Sequence, residues 1–210
     1  MKKCILLSIL TTVFAVSVTA QSKFETAMAK GLKQMTEAKT QLEKAETASF
    51  FERIADAEKN QWLPYYYAAL LNYQNAMFDN SADKDKVAEK CKEMIEKGLA
   101  IDKNADLYCL QQQVAILQML VDPMSRWQTY GPIAANALTN AKKADANNPR
   151  IYYLEGMTIM NTPENFGGGK IAAKPLFEKS VALFATYQPA TPMHPNWGKD
   201  LAEKMLAACK

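Results

Sequence analysis

Three side-chain amides, Asn75, Gln118 and Asn161, stand 43 residues apart. An amide donates and accepts hydrogen bonds at once, so a row of amides at one structural position can bind the backbone of an extended peptide. The same residues, placed beside a chain break, can instead cap the ends of helices. A second motif, Asn165-Phe166-Gly167-Gly168-Gly169-Lys170, sets glycines before a helix start, where backbone N–H groups and a lysine can meet a phosphate. Its spacing is not that of a nucleotide-binding loop, no Ser or Thr follows the lysine, and no strand precedes it. A turn is therefore the stronger expectation, since glycines permit the angles that reverse a chain. His194 is the only histidine and has no cysteine or carboxylate cluster nearby in sequence, which makes it a poor metal ligand and a poor catalytic base. No nucleophile stands beside a base, and the carboxylates lie among lysines, as on solvated helix faces. We expect no catalytic residue, no metal and no cofactor.

The elements that must position these residues are marked by pairs of small side chains: Ala48 and Ala55, Cys91 and Gly98, Ala134 and Ala141, Ala173 and Ser180. Members of a pair are seven apart; the first three pairs recur every 43 residues and the fourth follows after 39. Two small residues seven apart share one face of a helix and let another helix approach closely. Helical periodicity dominates from residue 23 onward. It predicts helices over Lys23–Gln41, Leu42–Lys59, Trp62–Phe78, Lys84–Ile101, Asp106–Leu120, Ser125–Ala146, Arg150–Met160, Lys170–Ala185 and Pro195–Cys209. Breaks at Asp79-Asn80-Ser81, Val121-Asp122-Pro123 and Asn161-Thr162-Pro163 fall at corresponding places. The unit is an antiparallel helix hairpin that cannot bury its apolar face alone. The fold class expected is all-α: a solenoid of about four stacked hairpins with a C-terminal capping helix.

Between the small residues stands a large apolar one, Ile95, Leu138 or Phe177; in the first unit Glu52 holds that place with Phe51 beside it. An aromatic follows eleven residues after the second small residue at Tyr66 and Tyr152, though not at Cys109, and Gly156 supplies a small residue four further on. This pattern resembles the tetratricopeptide repeat. The family repeat is about 34 residues, and the surplus of nine here falls inside each hairpin, between Asn75 and Cys91 and between Gln118 and Ala134. The resemblance implies an inner groove holding Tyr67, Asn75, Gln118, Arg150, Tyr153 and Asn161, and a partner that is a protein or peptide. It implies a non-catalytic scaffold. Two other readings stay open: an envelope hydrolase with a hidden site, which needs a concave cluster of titratable groups with shifted pKa values, and a self-associating subunit, which needs a broad apolar surface patch.

Met1–Ala20 carries Lys2 and Lys3, a short apolar run and a Val18-Thr19-Ala20 ending, the pattern of a secretory signal peptide cleaved after Ala20. The expected domains are residues 1–20 as leader and 21–210 as one helical domain in the periplasm or outside the cell. Cleavage leaves 23 basic against 22 acidic side chains, and no basic block interleaved with aromatics, so nucleic acid is not an expected partner. No second apolar run offers a membrane span. Cys91, Cys109 and Cys209 remain, and Cys91 takes a slot held elsewhere by alanine, as a small buried residue. An offset of about 8 Å along adjacent helices argues against a Cys91–Cys109 bridge.

Overall fold

Helix α1 is described over residues 23–37. After it come α2 (Gln41–Ala57), α3 (Trp62–Phe78), α4 (Lys84–Ile101), α5 (Ala105–Met119), α6 (Pro123–Ala144), α7 (Pro149–Asn161), α8 (Lys170–Phe184) and α9 (Lys199–Ala208), with a 3₁₀ turn at Glu164–Phe166. This computed structural model describes residues 23–210; the expected leader, Met1–Ala20, lies outside them. No strand occurs among the described residues.

The helix starts are written in side chains that cap. Thr40 accepts from the Glu43 N–H at 3.1 Å while the Glu43 carboxylate accepts from the Thr40 N–H at 2.9 Å, a reciprocal capping box. Asp83, Asn104, Asp122 and Asn148 cap α4 to α7 through their side-chain oxygens, and Pro123 and Pro149 fill first-turn positions where a missing N–H costs nothing. Consecutive helices pack in order, and the first helices of neighbouring hairpins, α3 with α5 and α5 with α7, also touch. That is a stack of hairpins.

All eight small residues of the sequence repeat are buried, on α2, α4, α6 and α8. A Cβ on Gly98 would stand 3.0 Å from Leu107, the Cys91 thiol lies 3.4 Å from the Ala69 carbonyl, and the Ser180 hydroxyl donates to the Pro149 carbonyl at 2.8 Å. Close helix approach is thus what these positions require. On the opposite side of the last hairpin, Gly156 admits the fully buried Phe177 ring, and in the first hairpin Gly31 admits Phe51, which stacks on Tyr67 with ring centroids 5.1 Å apart. Phe51 therefore takes the core role that Glu52 does not; Glu52 pairs with Lys90 at 2.6 Å.

The surplus residues lengthen helices rather than loops. α6 has 22 residues, whereas α7 has 13 and α8 has 15. One boundary differs materially from expectation: the terminal helix begins at Lys199, not Pro195. Residues 185–198 form an irregular strap instead, ending at Gly198, whose φ of 112° only glycine adopts easily.

Candidate functional site

The strap lies across the first turns of α3, α5 and α7. Tyr67 donates its hydroxyl to the Met193 carbonyl at 2.8 Å, and Arg150 donates to the Pro195 carbonyl at 2.6 Å. Trp197 donates to the Tyr66 hydroxyl at 2.7 Å, while Trp62 packs its ring edge-on to His194. Arg150 is 0% exposed; its guanidinium lies 3.3 Å from Asp106 and beneath the rings of Phe184, Tyr187 and Trp197. Burial pushes the Asp106 carboxyl up, and Arg150 and an Asn148 hydrogen bond pull it back. Burial also raises the phenols of Tyr66 and Tyr67. These shifted groups form one cluster, buried beneath the strap.

The six residues placed in the groove by sequence therefore do not line one open channel. Tyr67 and Arg150 do grip a peptide backbone, but it is the chain's own strap. Gln118 is buried and donates to Glu89 at 3.2 Å. Asn161 is exposed and donates to the Met157 carbonyl at 2.7 Å, the helix-end role that the amides could also play. Asn75 is half-buried with its carbonyl oxygen unpartnered, and half-buried Tyr153 packs against Phe177 and Trp197. The amides do not meet as a ladder: Gln118 turns to Glu89 of α4 and Asn161 to its own helix, and the Asn75 oxygen has no partner.

The glycine motif is a turn. Gly167 and Gly169 have φ of 82° and 91°, and a Cβ on Gly168 would fall 2.0 Å from the Thr162 carbonyl oxygen. The Gly168 and Gly169 N–H groups are used within the turn, by the Pro163 and Ile159 carbonyls. His194 is likewise engaged, its Nδ1 standing 2.7 Å from the Thr191 hydroxyl, and burial lowers its pKa while Asp106 and Asp102 oppose that shift. Among the described residues no three His, Cys, Asp or Glu side chains gather as a metal site, and no helix is long and apolar enough to cross a membrane.

A feature that sequence reasoning missed lies at the opposite edge, where the turns inside the hairpins emerge. One face of α6 runs Trp127, Gly131, Ala134, Leu138, Ala141, and its C-terminal half packs on α5 and α7. Lys142 bonds Glu155 at 2.8 Å, so Asn161 at the end of α7 comes level with about Asn136 of α6 at 1.5 Å per residue. The first turns of α6 have no following helix beside them. In consequence Met124 is 86% and Trp127 56% exposed, with Leu120 and Val121 adjoining. The other turns on this edge carry Leu42, Phe78, Phe166 and Ile171, all exposed, whereas the turns between hairpins are polar. Interaction sites present exposed apolar side chains of this kind. The available signal was the nine-residue surplus, which put extra helix on this edge.

Two further surface hollows, of about 690 and 260 Å³, flank Phe50 on the open face of the first hairpin. The larger is rimmed by Glu37, Glu43 and Glu46, with Arg53 as its cation.

The chain is similar to a solved structure, the HusA haemophore from Porphyromonas gingivalis. The two are 32% identical over 89% of this chain and 92% of that one, with a TM-score of 0.81. The chain belongs to the HusA family. HusA, as a haemophore, is a binding protein, which agrees with the non-catalytic class expected from sequence. No family model matches the chain, so its likeness to the tetratricopeptide repeat remains one of architecture. No curated protein matches its sequence either.

Proposed function

We propose that this chain is a haem- or porphyrin-binding protein of the bacterial envelope or exterior, and that the apolar ledge of α6 is where the macrocycle lies. Membership of the HusA family carries this reading. The ledge fits it physically: a flat, largely apolar ring gains most by covering exposed apolar surface, and Trp127 offers an aromatic face for stacking. Met124 provides the ledge with a thioether, while the single histidine, His194, is tied to the strap. Exposed Lys170 and Lys174, at the start of α8 on the same edge, suit the carboxylates of such a ligand. The acidic rim of the hollow beside Phe50 opposes them.

Titration of haem and of metal-free protoporphyrin into the full chain, followed by absorbance and by tryptophan fluorescence, tests this. Trp127→Ala and Met124→Asp are expected to weaken binding by about tenfold or more, as loss of an interfacial anchor does. Equal affinity in wild type and both variants refutes the ledge. The line of exposed apolar residues also favours self-association along this edge. Sedimentation with and without ligand separates the readings, because a dimer closed by the ledge should dissociate when ligand binds.

A further inference from the structure

We propose that Arg126 is the positioning residue of the ligand ledge, an inference that rests on the ledge being the binding site. The first turns of α6 run on beyond the end of α7. Pro132 stands inside the continuous helix and removes the N–H that would reach the Gln128 carbonyl, and a Cβ built on Gly131 would meet nothing within 4 Å. With α7 ending short of this region, the packed half of α6 does not by itself hold Met124 and Trp127 in place.

Arg126 supplies what that region lacks. Its guanidinium grips Asp85 on the first turn of α4 with both nitrogens, at 2.6 and 2.9 Å, and donates to the Gln118 carbonyl on the last turn of α5 at 3.2 Å. Gln118 in turn reaches Glu89 of α4, and the Tyr130 ring lies under the guanidinium at 6.0 Å. One planar fork thus fastens the start of α6 to two other helices, a geometry that lysine cannot reproduce. Arg126 is next to Trp127 in sequence but turned to the other side, towards α4. It acts on the ligand through the orientation of the ledge, not by touching it.

The test is a double-mutant cycle in the full chain with Arg126→Gln, Asp85→Asn and both together. Haem affinity, amide exchange over residues 123–131 and the urea midpoint are the readouts. Each single variant is expected to weaken haem binding about fivefold and to speed exchange in that segment while leaving the global midpoint nearly unchanged. The double variant should be no worse than either single one, and Arg126→Lys should fall between wild type and Arg126→Gln. Unaltered affinity and exchange in Arg126→Gln would overturn the clamp. So would tighter binding by Asp85→Asn, which would mean that Arg126 contacts the ligand directly. A wild type that binds neither haem nor protoporphyrin defeats the underlying ligand reading, and is thereby told apart from a clamp that fails in a chain that does bind.

Discussion

Replacing Gly156 by alanine would put a methyl carbon 2.7 Å from Cε1 and 2.9 Å from Cδ1 of Phe177. Ordinary contact begins near 3.4 Å, so the ring or one helix must retreat by most of an ångström. Phe177 has no free space to move into, being 0% exposed, with Tyr153 packed against it at 6.3 Å between centroids. Overpacking of this kind costs about 1–3 kcal/mol, against a helix-propensity gain of about 1 kcal/mol for exchanging a mid-helix glycine. The net expectation is a loss of about 1 kcal/mol, read from urea unfolding at fixed m, with a fall in Tm of about 2–4 °C for a chain of this length. Phe177→Leu removes the offending ring and on its own leaves a cavity costing about 1 kcal/mol. If the two side chains oppose each other as described, the double variant should be more stable than the sum of the singles predicts, by about 1 kcal/mol. A Gly156→Ala chain that gains stability would refute the reasoning, since propensity would then act unopposed and the close approach of α7 to α8 would not exist.

Thiol chemistry offers a second check. Burial pushes the Cys91 thiol up to about 12 and the Cys109 thiol well above its ordinary value, while Cys209 is only half-buried near the C-terminus. Alkylation of the folded chain at pH 8, mapped by mass spectrometry, should mark Cys209 alone of these three, and all three once urea is added. Rapid labelling of Cys91 in the folded chain would contradict the packing of α4 on α3. The strap can be probed through Arg150→Met, which strands Asp106 without its guanidinium and should cost about 3–5 kcal/mol at pH 7. In that variant the Asp106 carboxyl, already raised by burial, rises further. The folded state then binds the proton more tightly than the unfolded state does, so stability should recover as pH falls from 7 towards 4. A deficit in urea midpoint relative to wild type that does not shrink towards pH 4 would show that Asp106 is solvated and that the strap does not bury it.

The stack was legible because its signal is local and repeated. A helix packing site needs a small residue, and Ala48, Cys91, Ala134 and Ala173 meet that need whatever else surrounds them, so spacing alone exposes them. Helix limits followed equally well where a cap announces them, as at Asp83 and Asn148. The strap was not legible. Pro195 and Trp197 look like the approach to a helix, and nothing nearby in sequence shows that Arg150, 45 residues away, takes the Pro195 carbonyl. The same long-range contact undid the groove. Tyr67 and Arg150, expected to line a groove for a separate peptide, instead hold carbonyls of the chain's own strap.

The ledge failed to show for a different reason. Trp127, Ala134, Leu138 and Ala141 repeat at helical spacing, and a periodic apolar face is ordinarily core. Whether such a face is covered depends on the length of the helix beside it, which is a relation between two elements rather than a property of either. Here α6 exceeds α7 by nine residues, about 14 Å of helix. The excess converts part of a core stripe into surface without changing a single residue type. Lengthening α7 would test that account directly. Four residues of helix-forming sequence inserted before Asn161 should extend α7 by about 6 Å, bring it alongside Gly131 and cover part of the stripe. Trp127 fluorescence should then shift to shorter wavelength and haem affinity should fall, while the other hairpins keep their stability. An unchanged Trp127 spectrum in a folded insertion variant would mean that the exposed stripe does not owe its exposure to the short neighbour.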